Sequence, residues 1–215
     1  MTARTGQAGL IPEILTKRQD MEHTERPTSP TEDSRLMSAV TRQDGRALET
    51  LIRKYRALVF RTALRIVCSA DDAEDITQEV FIRVWKQAGR FNSRSGLPAW
   101  LYRITCNLSI DHLRRRKIRF TRMPWKDSVE AGRIPEKGLP REKSSEEKMI
   151  ESEEWRMFTE ATAGLSPKQR AVFTLKEIEG LDTMEVAAIT GLSPDRIKSN
   201  LYLARKTIRD KLGMD

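Results

Sequence analysis

Cysteine is almost absent from this sequence, which has only Cys68 and Cys106 among its 215 residues. Two thiolates cannot build a four-thiolate metal site, and His23 and His112 are not spaced to complete one. We therefore interpret both cysteines as small buried hydrophobic residues, with a redox or metal-binding role as the alternative. The sequence predicts no metal site and no cofactor.

Long apolar runs are also missing, and aromatic residues make up only 6% of the chain. A membrane-spanning helix needs about 20 consecutive apolar residues, and no segment of this sequence approaches that length. The first residues do not follow the basic, apolar and small-residue pattern of a signal peptide. We therefore expect a cytoplasmic protein without direct membrane insertion, and the composition argues against an all-β sandwich.

Charge, in contrast, is abundant and unbalanced. Charged residues form 33% of the chain, and 39 lysines and arginines outnumber 31 acidic residues, giving a net charge of +8. A basic protein of this kind favours a polyanionic partner such as nucleic acid. Charge alone does not identify that partner.

Apolar residues recur at helical spacing through most of the sequence, which predicts an all-α fold. The predicted inward stripes are Leu48, Leu51, Ile52, Tyr55, Leu58, Val59 and Ala63 in one helix, Ala73, Ile76, Val80 and Val84 in the next, and Leu101, Ile104, Leu108 and Leu113 in the third. One further helix is expected near 146–163, and Asp182 is predicted to cap a later one. Pro124, Pro135 and Pro140 interrupt the pattern and indicate a flexible linker between two small helical domains. The predicted divisions are a disordered N-terminal extension at 1–35, a first domain at 36–119, the linker at 120–145 and a second domain at 146–215.

The last predicted helix has one apolar and one polar face. Ile197, Leu201, Ala204 and Ile208 share the face that we expect to be buried. The opposite side carries Asp195, Ser199, Tyr202, Leu203 and Lys206, with Arg196, Lys198 and Arg205 on its flanks. A short helix, Gly191 and the Ser193-Pro194 pair precede it, which predicts a helix-turn-helix whose second helix enters the DNA major groove.

The first domain combines aromatic, amide and cationic residues in one stretch. Phe91, Trp100 and Tyr102 occur with Asn92 and Asn107, and a basic run follows at 114–117. Such residues suit unstacked bases and the phosphates of a single strand. Core packing is the alternative interpretation for Trp100 and Tyr102. Joined to a groove-reading module, the domain predicts a protein that opens DNA near a sequence that it recognises.

Three segments in this order resemble one bacterial family. They are "DAEDITQEVFIRVW", "WLYRITCNLSIDHLRRR" and "LSPKQRAVFTLKEIEGLDTMEVAAITGLSPDRIKSNLYLARKTIRDKL". Together they are similar to sigma-70-type factors of the extracytoplasmic-function (ECF) group, over roughly residues 36–119 and 146–212. The resemblance implies that 36–119 is region 2 and 146–215 is region 4, which are the two helical domains of that family.

The resemblance also implies a function and partners. A family member is a dissociable subunit that binds core RNA polymerase and directs promoter-specific initiation, and it is not an enzyme. It contacts promoter DNA as a duplex at the −35 element and as a single strand at the −10 element. Family analogy adds a probable anti-sigma factor that covers or separates the two domains.

Residue roles follow from the resemblance alone. Core polymerase binding is implied for Asp75, Gln78, Glu79, Phe81, Arg83 and Trp85. Recognition and melting of the −10 element are implied for Phe91, Asn92, Arg94, Trp100, Tyr102, Arg103, Asn107, Asp111, Arg114, Arg115 and Arg116. Reading of the −35 element is implied for Thr183, Asp195, Arg196, Lys198, Ser199, Asn200, Tyr202, Arg205 and Lys206.

Three sites depart from the family pattern. Many relatives carry arginine where this chain has Asn200, and often a basic residue at Leu203. The −35 sequence read by this chain is therefore expected to differ from that of better-known family members. Pro194-Asp195 replaces the more usual pair of small residues at the helix start, so Asp195 would either accept a hydrogen bond from a cytosine amino group or cap the helix.

Three rival functions compete with this interpretation. A helix-turn-helix transcriptional regulator would need a sensor or dimerisation domain, which residues 36–119 do not resemble. A sigma mimic that titrates an anti-sigma factor should have lost its basic face, yet Lys198, Arg205 and Lys206 remain. A magnesium-dependent nuclease could use Asp71, Asp75 and Glu79, but helix-dipole stabilisation and the resemblance explain these acids as well.

Overall fold

The computed structural model describes residues 30–93, 96–122 and 145–213, and no β-strand occurs in these ranges. The N-terminal bundle consists of α1 (Pro30–Thr41), α2 (Gly45–Val67), α3 (Ala70–Gln87) and α4 (Gly96–Arg122), with a 3₁₀ turn at Ala88–Arg90. After α5 (Ser145–Ile150), the C-terminal bundle consists of α6 (Glu153–Thr162), α7 (Pro167–Phe173), a π-helical turn at Thr174–Ile178, α8 (Thr183–Thr190) and α9 (Pro194–Leu212). The all-α prediction is confirmed.

None of the helices in the described ranges is both long and apolar enough to span a membrane.

Helix α1 begins inside the stretch for which the sequence predicted disorder. Asp33 is only 5% exposed. Its buried carboxylate accepts hydrogen bonds from the Tyr55 hydroxyl at 2.6 Å and the Lys54 amine at 2.9 Å, which compensate for the lost contact with water. Burial and the Asp33 carboxylate raise the Tyr55 pKa. Burial alone would lower the Lys54 pKa, but hydrogen bonds to Asp33 and Glu32 outweigh it and raise that pKa. This network fixes α1 on α2, and the remaining residues of the predicted extension, 1–29, lie outside the described ranges.

The N-terminal bundle buries the apolar stripes that the sequence predicted. In α2 the buried stripe includes Leu51, Tyr55 and Val59, and α3 adds Ala73, Ile76, Val80 and Val84. Asp44 caps α2 by accepting from the backbone amides of Arg46 and Ala47. Ser69 caps α3 by accepting from the amide of Asp72 at 3.3 Å. The two caps fix where these helices start, and burial of their stripes is the main driving force of the bundle.

The segment between the linker and the C-terminal bundle contains two short helices where one was expected near 146–163. Ser152 accepts from the backbone amide of Trp155 and starts α6 as a new helix. Helix α5 packs on the N-terminal bundle, because Met149 joins its core and Glu146 forms a 2.7 Å ion pair with Arg56. The boundary at 146 stays a prediction, and residues 123–144 of the predicted linker lie outside the described ranges.

The two bundles contact each other along a continuous apolar surface, which we call the seam. From the N-terminal bundle it contains Ile66, Tyr102 and Cys106, and from the C-terminal bundle it contains Ala171, Val172, Leu175, Val186, Ile189 and Ile197. These side chains form one buried cluster. The fold therefore places two predicted DNA-binding domains side by side.

Candidate functional site

The C-terminal pair of helices has the local signals of a helix-turn-helix. Asp182 caps α8 in a reciprocal capping box with Glu185. Gly191 ends α8 with a φ of 69°, a left-handed conformation that favours glycine. Ser193 then caps α9, and Pro194 occupies its first position. These signals hold α9 at a fixed angle to α8 and present one of its faces to solvent.

Helix α9 is divided into the two faces that the sequence predicted. Ile197, Ala204 and Ile208 are buried, and Leu201 is half-buried. Tyr202 is 63% exposed on the opposite side. The other predicted −35 residues on the exposed surface are Asp195, Arg196, Lys198, Ser199, Arg205 and Lys206, whereas Thr183 and Asn200 are half-buried. Their role in DNA binding stays a prediction.

Several of these polar side chains have partners within the protein. Ser199 donates to the Asp195 carbonyl at 2.9 Å, and Asn200 donates to the Arg196 carbonyl at 2.7 Å. Arg205 pairs with Glu177 of the π-helical turn at 2.6 Å, so its guanidinium also positions α9. These contacts leave the cationic groups of Arg196, Lys198 and Lys206 as the open donors of this face, in the part of the chain that the structure describes.

Helix α4 presents three different faces, because its residues contact two neighbours and solvent. Arg103, Asn107, Asp111 and Arg114 lie on the solvent face, at spacings of three and four residues. Leu101 and Thr105 are buried toward the N-terminal bundle, and Tyr102 and Cys106 face the seam. The structure thus gathers most of the predicted −10 residues of α4 on one exposed strip, with Arg115 exposed beside it.

The aromatic residues predicted to stack on bases are engaged with the protein. The rings of Phe91 and Trp100 pack at 5.5 Å between centroids and 58° between planes, and both are half-buried. Tyr102 is only 7% exposed. Its hydroxyl donates to Glu179 at 2.8 Å, and burial and the Glu179 carboxylate raise its pKa. In this arrangement Tyr102 has a core role, and its contact with DNA stays a prediction.

The cations and amides around this strip are exposed. Asn92 is exposed, and Arg94 lies outside the described ranges. Arg116 contacts Asp72 at 3.4 Å, and the same carboxylate lies 3.2 Å from His112. Arg114 lies 3.8 Å from Asp111, a separation at which an exposed pair contributes little to stability. Arg114 and Arg115 therefore expose guanidinium groups that could contact phosphates, and their role in DNA binding stays a prediction.

Three of the predicted polymerase-binding residues of α3, namely Gln78, Phe81 and Trp85, line an apolar groove, whereas Asp75, Glu79 and Arg83 lie outside its lining. The groove has a volume of about 380 Å³, and its apolar lining includes Leu48, Ile52, Phe81, Ile82 and Trp85. Ile82 is 45% exposed. Of the predicted residues, Asp75 and Gln78 are exposed, Glu79 pairs with Arg83 at 2.9 Å, Trp85 is half-buried and Phe81 is buried at the floor.

Sequence reasoning missed Leu48, Ile52 and Ile82 as members of this groove. Leu48 and Ile52 were assigned to the core stripe of α2, and Ile82 falls off the inward stripe of α3. An isoleucine that lies off the inward stripe of α3, between Gln78 and Trp85, was the sequence signal that could have revealed the groove. At its edge, Arg56 pairs with Glu74 and with Glu146, both at 2.7 Å, so α5 lies beside the groove.

The acids considered for a nuclease do not form a metal site. Across 30–93, 96–122 and 145–213, no group of three or more His, Cys, Asp or Glu side chains is placed to hold a metal ion, and this includes Asp71, Asp75 and Glu79. Cys68 and Cys106 are both free thiols. Burial raises the pKa of both, that of Cys106 to about 12. Cys106 fits the interpretation as a buried hydrophobic residue, whereas Cys68 is only half-buried at the C-terminal end of α2.

Two family models match this chain. The model of sigma-70 region 2 matches residues 51–118, and the model of sigma-70 region 4 matches residues 155–208. The first match covers most of α2, all of α3 and most of α4. The second covers the helix-turn-helix and the helices that support it.

Several curated proteins are similar over most of their length. The ECF RNA polymerase sigma-E factor of Escherichia coli is 30% identical over 84% of this chain and 94% of its own. The RNA polymerase sigma-H factor of Pseudomonas aeruginosa is 29% identical over 82% and 92%. The ECF RNA polymerase sigma factor SigE of Mycolicibacterium smegmatis is 32% identical over 77% of this chain, but the match spans 61% of that relative.

Two solved structures share the fold. CnrH, solved in complex with the cytosolic domain of CnrY, superposes with a TM-score of 0.58 at 21% identity, covering 85% of this chain and 98% of that chain. The sigma factor RpoE of Bartonella quintana, solved with the anti-sigma factor NepR, gives 0.55 at 23% identity, covering 78% and 97%. The matched regions and the sequence relatives show that this chain belongs to the sigma-70 family, in its extracytoplasmic-function group.

Proposed function

We propose that this chain is an alternative sigma factor that binds core RNA polymerase, reads the −35 element with α9 and captures the melted −10 element with α4. The observation that carries the proposal is the pair of exposed polar faces, one on each bundle. The chain supplies promoter specificity and no catalysis, and it acts in the cytoplasm beside the polymerase. It is released after initiation.

The exposed face of α9 has the chemistry of a major-groove reader. Arg196, Lys198 and Lys206 present cationic donors that suit guanine O6 and N7 or phosphate oxygens, and Tyr202 offers an apolar ring to a thymine methyl group. The backbone amides at the start of α9 favour a phosphate oxygen. Because the caps fix the helix before DNA arrives, little ordering entropy is lost on binding.

The exposed strip of α4 suits a single strand. Asn107 can hydrogen-bond the edge of an unpaired base, and Arg103 and Arg114 can contact its phosphates. Extruding a base from the duplex costs a few kcal/mol, roughly, so the polymerase must share the work of melting. The proposal therefore assigns capture of the opened strand to α4 and the opening itself to the complex.

The groove beside α3 is the proposed docking surface for core polymerase. It combines an apolar centre at Ile82 with polar lining residues that include Gln78, Glu74 and Arg56. A desolvated centre with a polar rim is the usual composition of a protein interface. The side of the groove formed by α3 lies in the segment that the resemblance assigns to polymerase binding, and α2 forms the other side.

An inhibitory partner is the second part of the proposal. RpoE was solved with the anti-sigma factor NepR and CnrH with the cytosolic domain of CnrY. We propose that an anti-sigma factor also binds this chain. Affinity capture of the tagged protein from its own cells should recover such a protein. Constitutive activity of the chain in cells, with no inhibitor captured, would contradict this part.

Run-off transcription on a pooled promoter library tests the proposed function directly. Core polymerase with the purified chain should produce discrete transcripts, and sequencing their starts should reveal one shared pair of upstream elements. Core polymerase alone is the control. If the chain neither co-purifies with core polymerase nor directs any specific start, the proposed function is wrong.

A further inference from the structure

The middle of the exposed face of α9 is apolar. Tyr202 is 63% exposed and Leu203 is 45% exposed, and the two residues are consecutive. Ser199 lies one helical turn before this apolar pair and Lys206 lies one turn after it, so the four side chains form a continuous strip opposite the buried side of the helix. Leu203 therefore lies at the centre of the proposed DNA-binding face, although the resemblance assigned no role to it.

The polar side chains nearest to the apolar pair form hydrogen bonds within the protein. The Ser199 hydroxyl donates its single proton to the Asp195 carbonyl at 2.9 Å, and the Asn200 amide donates to the Arg196 carbonyl at 2.7 Å. The Arg205 guanidinium is directed to Glu177 at 2.6 Å. To donate to a base edge, the Ser199 hydroxyl must first give up its bond within α9, which offsets part of the gain. Hydrogen bonds from the middle of this face are therefore a weak source of sequence specificity.

Exposed cations lie around the apolar pair. Arg196 and Lys198 lie on either side of the strip toward the start of α9, and Lys206 follows the pair. Cationic side chains in such positions contact phosphates, which fix the position of the helix on the duplex but carry no sequence information. An apolar side chain acts differently, because the apolar group that base edges present in the major groove is the C5 methyl of thymine.

We propose that Leu203, together with Tyr202, reads the methyl groups of two neighbouring thymines in the −35 element. The inference rests on the proposed function, because it concerns the face of α9 that is assigned to that element. It adds Leu203 to the residues that determine specificity, and it names the chemical group that is recognised. Cytosine, adenine and guanine all lack this methyl group, so each of them is disfavoured at the two positions.

Burial of apolar surface supplies the energy of this readout. Tyr202 and Leu203 are in contact with water in the free chain, and a thymine methyl group that packs against either of them removes apolar surface from water on both sides. The burial of one methyl-sized group is worth about fourfold in affinity. Two such contacts are enough to select one element among similar ones, while the surrounding cations hold the helix on the duplex.

The charges around the pair favour DNA over a protein as its partner. The centre of a protein interface is typically depleted of charge, whereas Arg196, Lys198 and Lys206 are all exposed around Tyr202 and Leu203. A polyanion suits this combination of an apolar centre and a cationic border. The affinity of Leu203 variants for core polymerase distinguishes the two kinds of partner.

Replacement of thymine by deoxyuridine tests the readout. This exchange removes only the C5 methyl group and leaves the hydrogen-bonding groups of the base pair unchanged. Once run-off sequencing has identified the −35 element, each of its thymines, on either strand, is replaced singly in the promoter DNA. Competition binding to the complex of core polymerase with the chain should show a loss of about fourfold at each of two neighbouring positions.

Substitutions in α9 connect each methyl group to one side chain. Leu203→Ala should abolish the effect of deoxyuridine at one of the two positions and preserve it at the other, and Tyr202→Ala should do the reverse. Leu203→Met keeps an apolar side chain and should respond as wild type does. Lys198→Ala is the matched control, because it should weaken binding to every promoter by the same factor and preserve both deoxyuridine effects. Leu203 is exposed, so its substitution should leave the urea unfolding midpoint unchanged.

Three results would overturn this readout: a −35 element without two neighbouring thymines, equal affinity for thymine and deoxyuridine at every position, or deoxyuridine effects that all persist in Leu203→Ala. Weaker binding of Leu203→Ala to core polymerase without DNA, with the deoxyuridine effects intact, would assign Leu203 to a protein contact. Specific transcripts without any effect of deoxyuridine contradict this inference alone. The absence of specific transcripts from every promoter contradicts the proposed function itself.

Discussion

Lys198 extends from the exposed face near the start of α9, where a helix in the major groove reaches base edges. Its replacement by alanine should weaken binding to the duplex −35 element by about 1–3 kcal/mol if the amine contacts a base. Lys211→Ala is the control, because Lys211 is equally exposed but lies in the last turn of α9. Fluorescence anisotropy measures the affinity of both variants for a DNA duplex that contains the −35 element, as identified by sequencing the run-off transcripts. Equal losses would show that only overall charge matters.

Asn107 lies on the solvent face of α4, away from both the core and the seam. Asn107→Ala should leave duplex binding unchanged and impair promoter opening, because an amide that pairs with an unstacked base acts only after melting. Band shifts of the polymerase complex report binding, and permanganate reactivity of unpaired thymines reports opening. Gln87→Ala, at the exposed end of α3, is the control. A comparable decrease in both steps would contradict the assignment of α4 to the single strand.

Cys106 makes stability depend on pH in the alkaline range. Its pKa is raised from an ordinary value near 9 to about 12 by burial. Between these values the unfolded chain ionises the thiol and the folded chain does not, so the free energy of unfolding falls as pH rises above about 9. Below pH 9 the thiol is neutral in both states and has no effect. Urea titrations from pH 8 to 11 should show a smaller pH-dependent decrease for Cys106→Ala than for wild type.

At the scale of single elements, the turn between α8 and α9 depends on Gly191. Its φ of 69° costs an ordinary L-residue roughly 1–2 kcal/mol, although no atom lies within 4 Å of the added carbon. Gly191→Ala should therefore lower the free energy of unfolding by about that amount. Gly45→Ala should do the opposite by about 0.4–1 kcal/mol, because Gly45 starts α2 in open space with helical geometry. Thermal unfolding followed by circular dichroism compares the two, and equal effects would contradict the conformational argument.

Helix boundaries and faces were largely predictable, because their causes are local. Asp182, Ser193 and Gly191 are capping residues that act within a few positions, and the structure confirms the helix ends that they predicted. The separation of Ile197 from Lys198 onto different faces of α9 follows from helical spacing. Such signals do not depend on what the helix packs against.

The faces of α4 could be predicted only in part. Leu101 and Ile104 were assigned to the interior correctly. For Tyr102 the sequence left both DNA binding and core packing open, and the structure buries it in the seam. A helix that packs on two neighbours has apolar residues over most of its circumference. Its sequence therefore lacks the single stripe that distinguishes inside from outside. Similarly, nothing local to the Thr174–Ile178 segment signals a π-helical turn.

At the scale of the whole molecule, contact between the bundles was not predictable from the sequence. The family resemblance and the prolines between the domains indicated two tethered units, but apolar periodicity does not specify which surface faces which neighbour. Ile66 illustrates the difficulty, because it follows the core residue Ala63 by three positions and yet belongs to the seam. The seam depends on residues about 100 positions apart, such as Ile66 and Arg170.

Alanine substitutions at two isoleucines should distinguish an effect on folding stability from an effect on polymerase binding. Ile66 is fully buried at the seam, so Ile66→Ala should lower the free energy of unfolding by about 2–5 kcal/mol. Ile82 is 45% exposed in the groove, so Ile82→Ala should change it by less than about 0.5 kcal/mol. Ile82→Ala should instead weaken core-polymerase binding by about 1–2 kcal/mol, as an interface centre would. Urea unfolding measures the free energy of unfolding, and competition binding measures the affinity for core polymerase. If Ile82→Ala binds core polymerase as tightly as wild type, the groove is not the docking site.

The π-helical turn at Thr174–Ile178 holds one more residue than an α-helical turn would, and the Glu179 amide reaches back to the Thr174 carbonyl at 2.9 Å. Each residue of an α-helix turns the chain by about 100°. If this stretch were one residue shorter and continued as an α-helix, every side chain after it would be rotated by roughly that angle. The side chains of Glu177 and Glu179 would then point in new directions, and their ion pairs with Arg205 and Arg65 would be lost. One additional residue in this turn therefore orients two ion pairs at once: the pair of Glu177 with Arg205, which positions α9, and the pair of Glu179 with Arg65, which connects the two bundles.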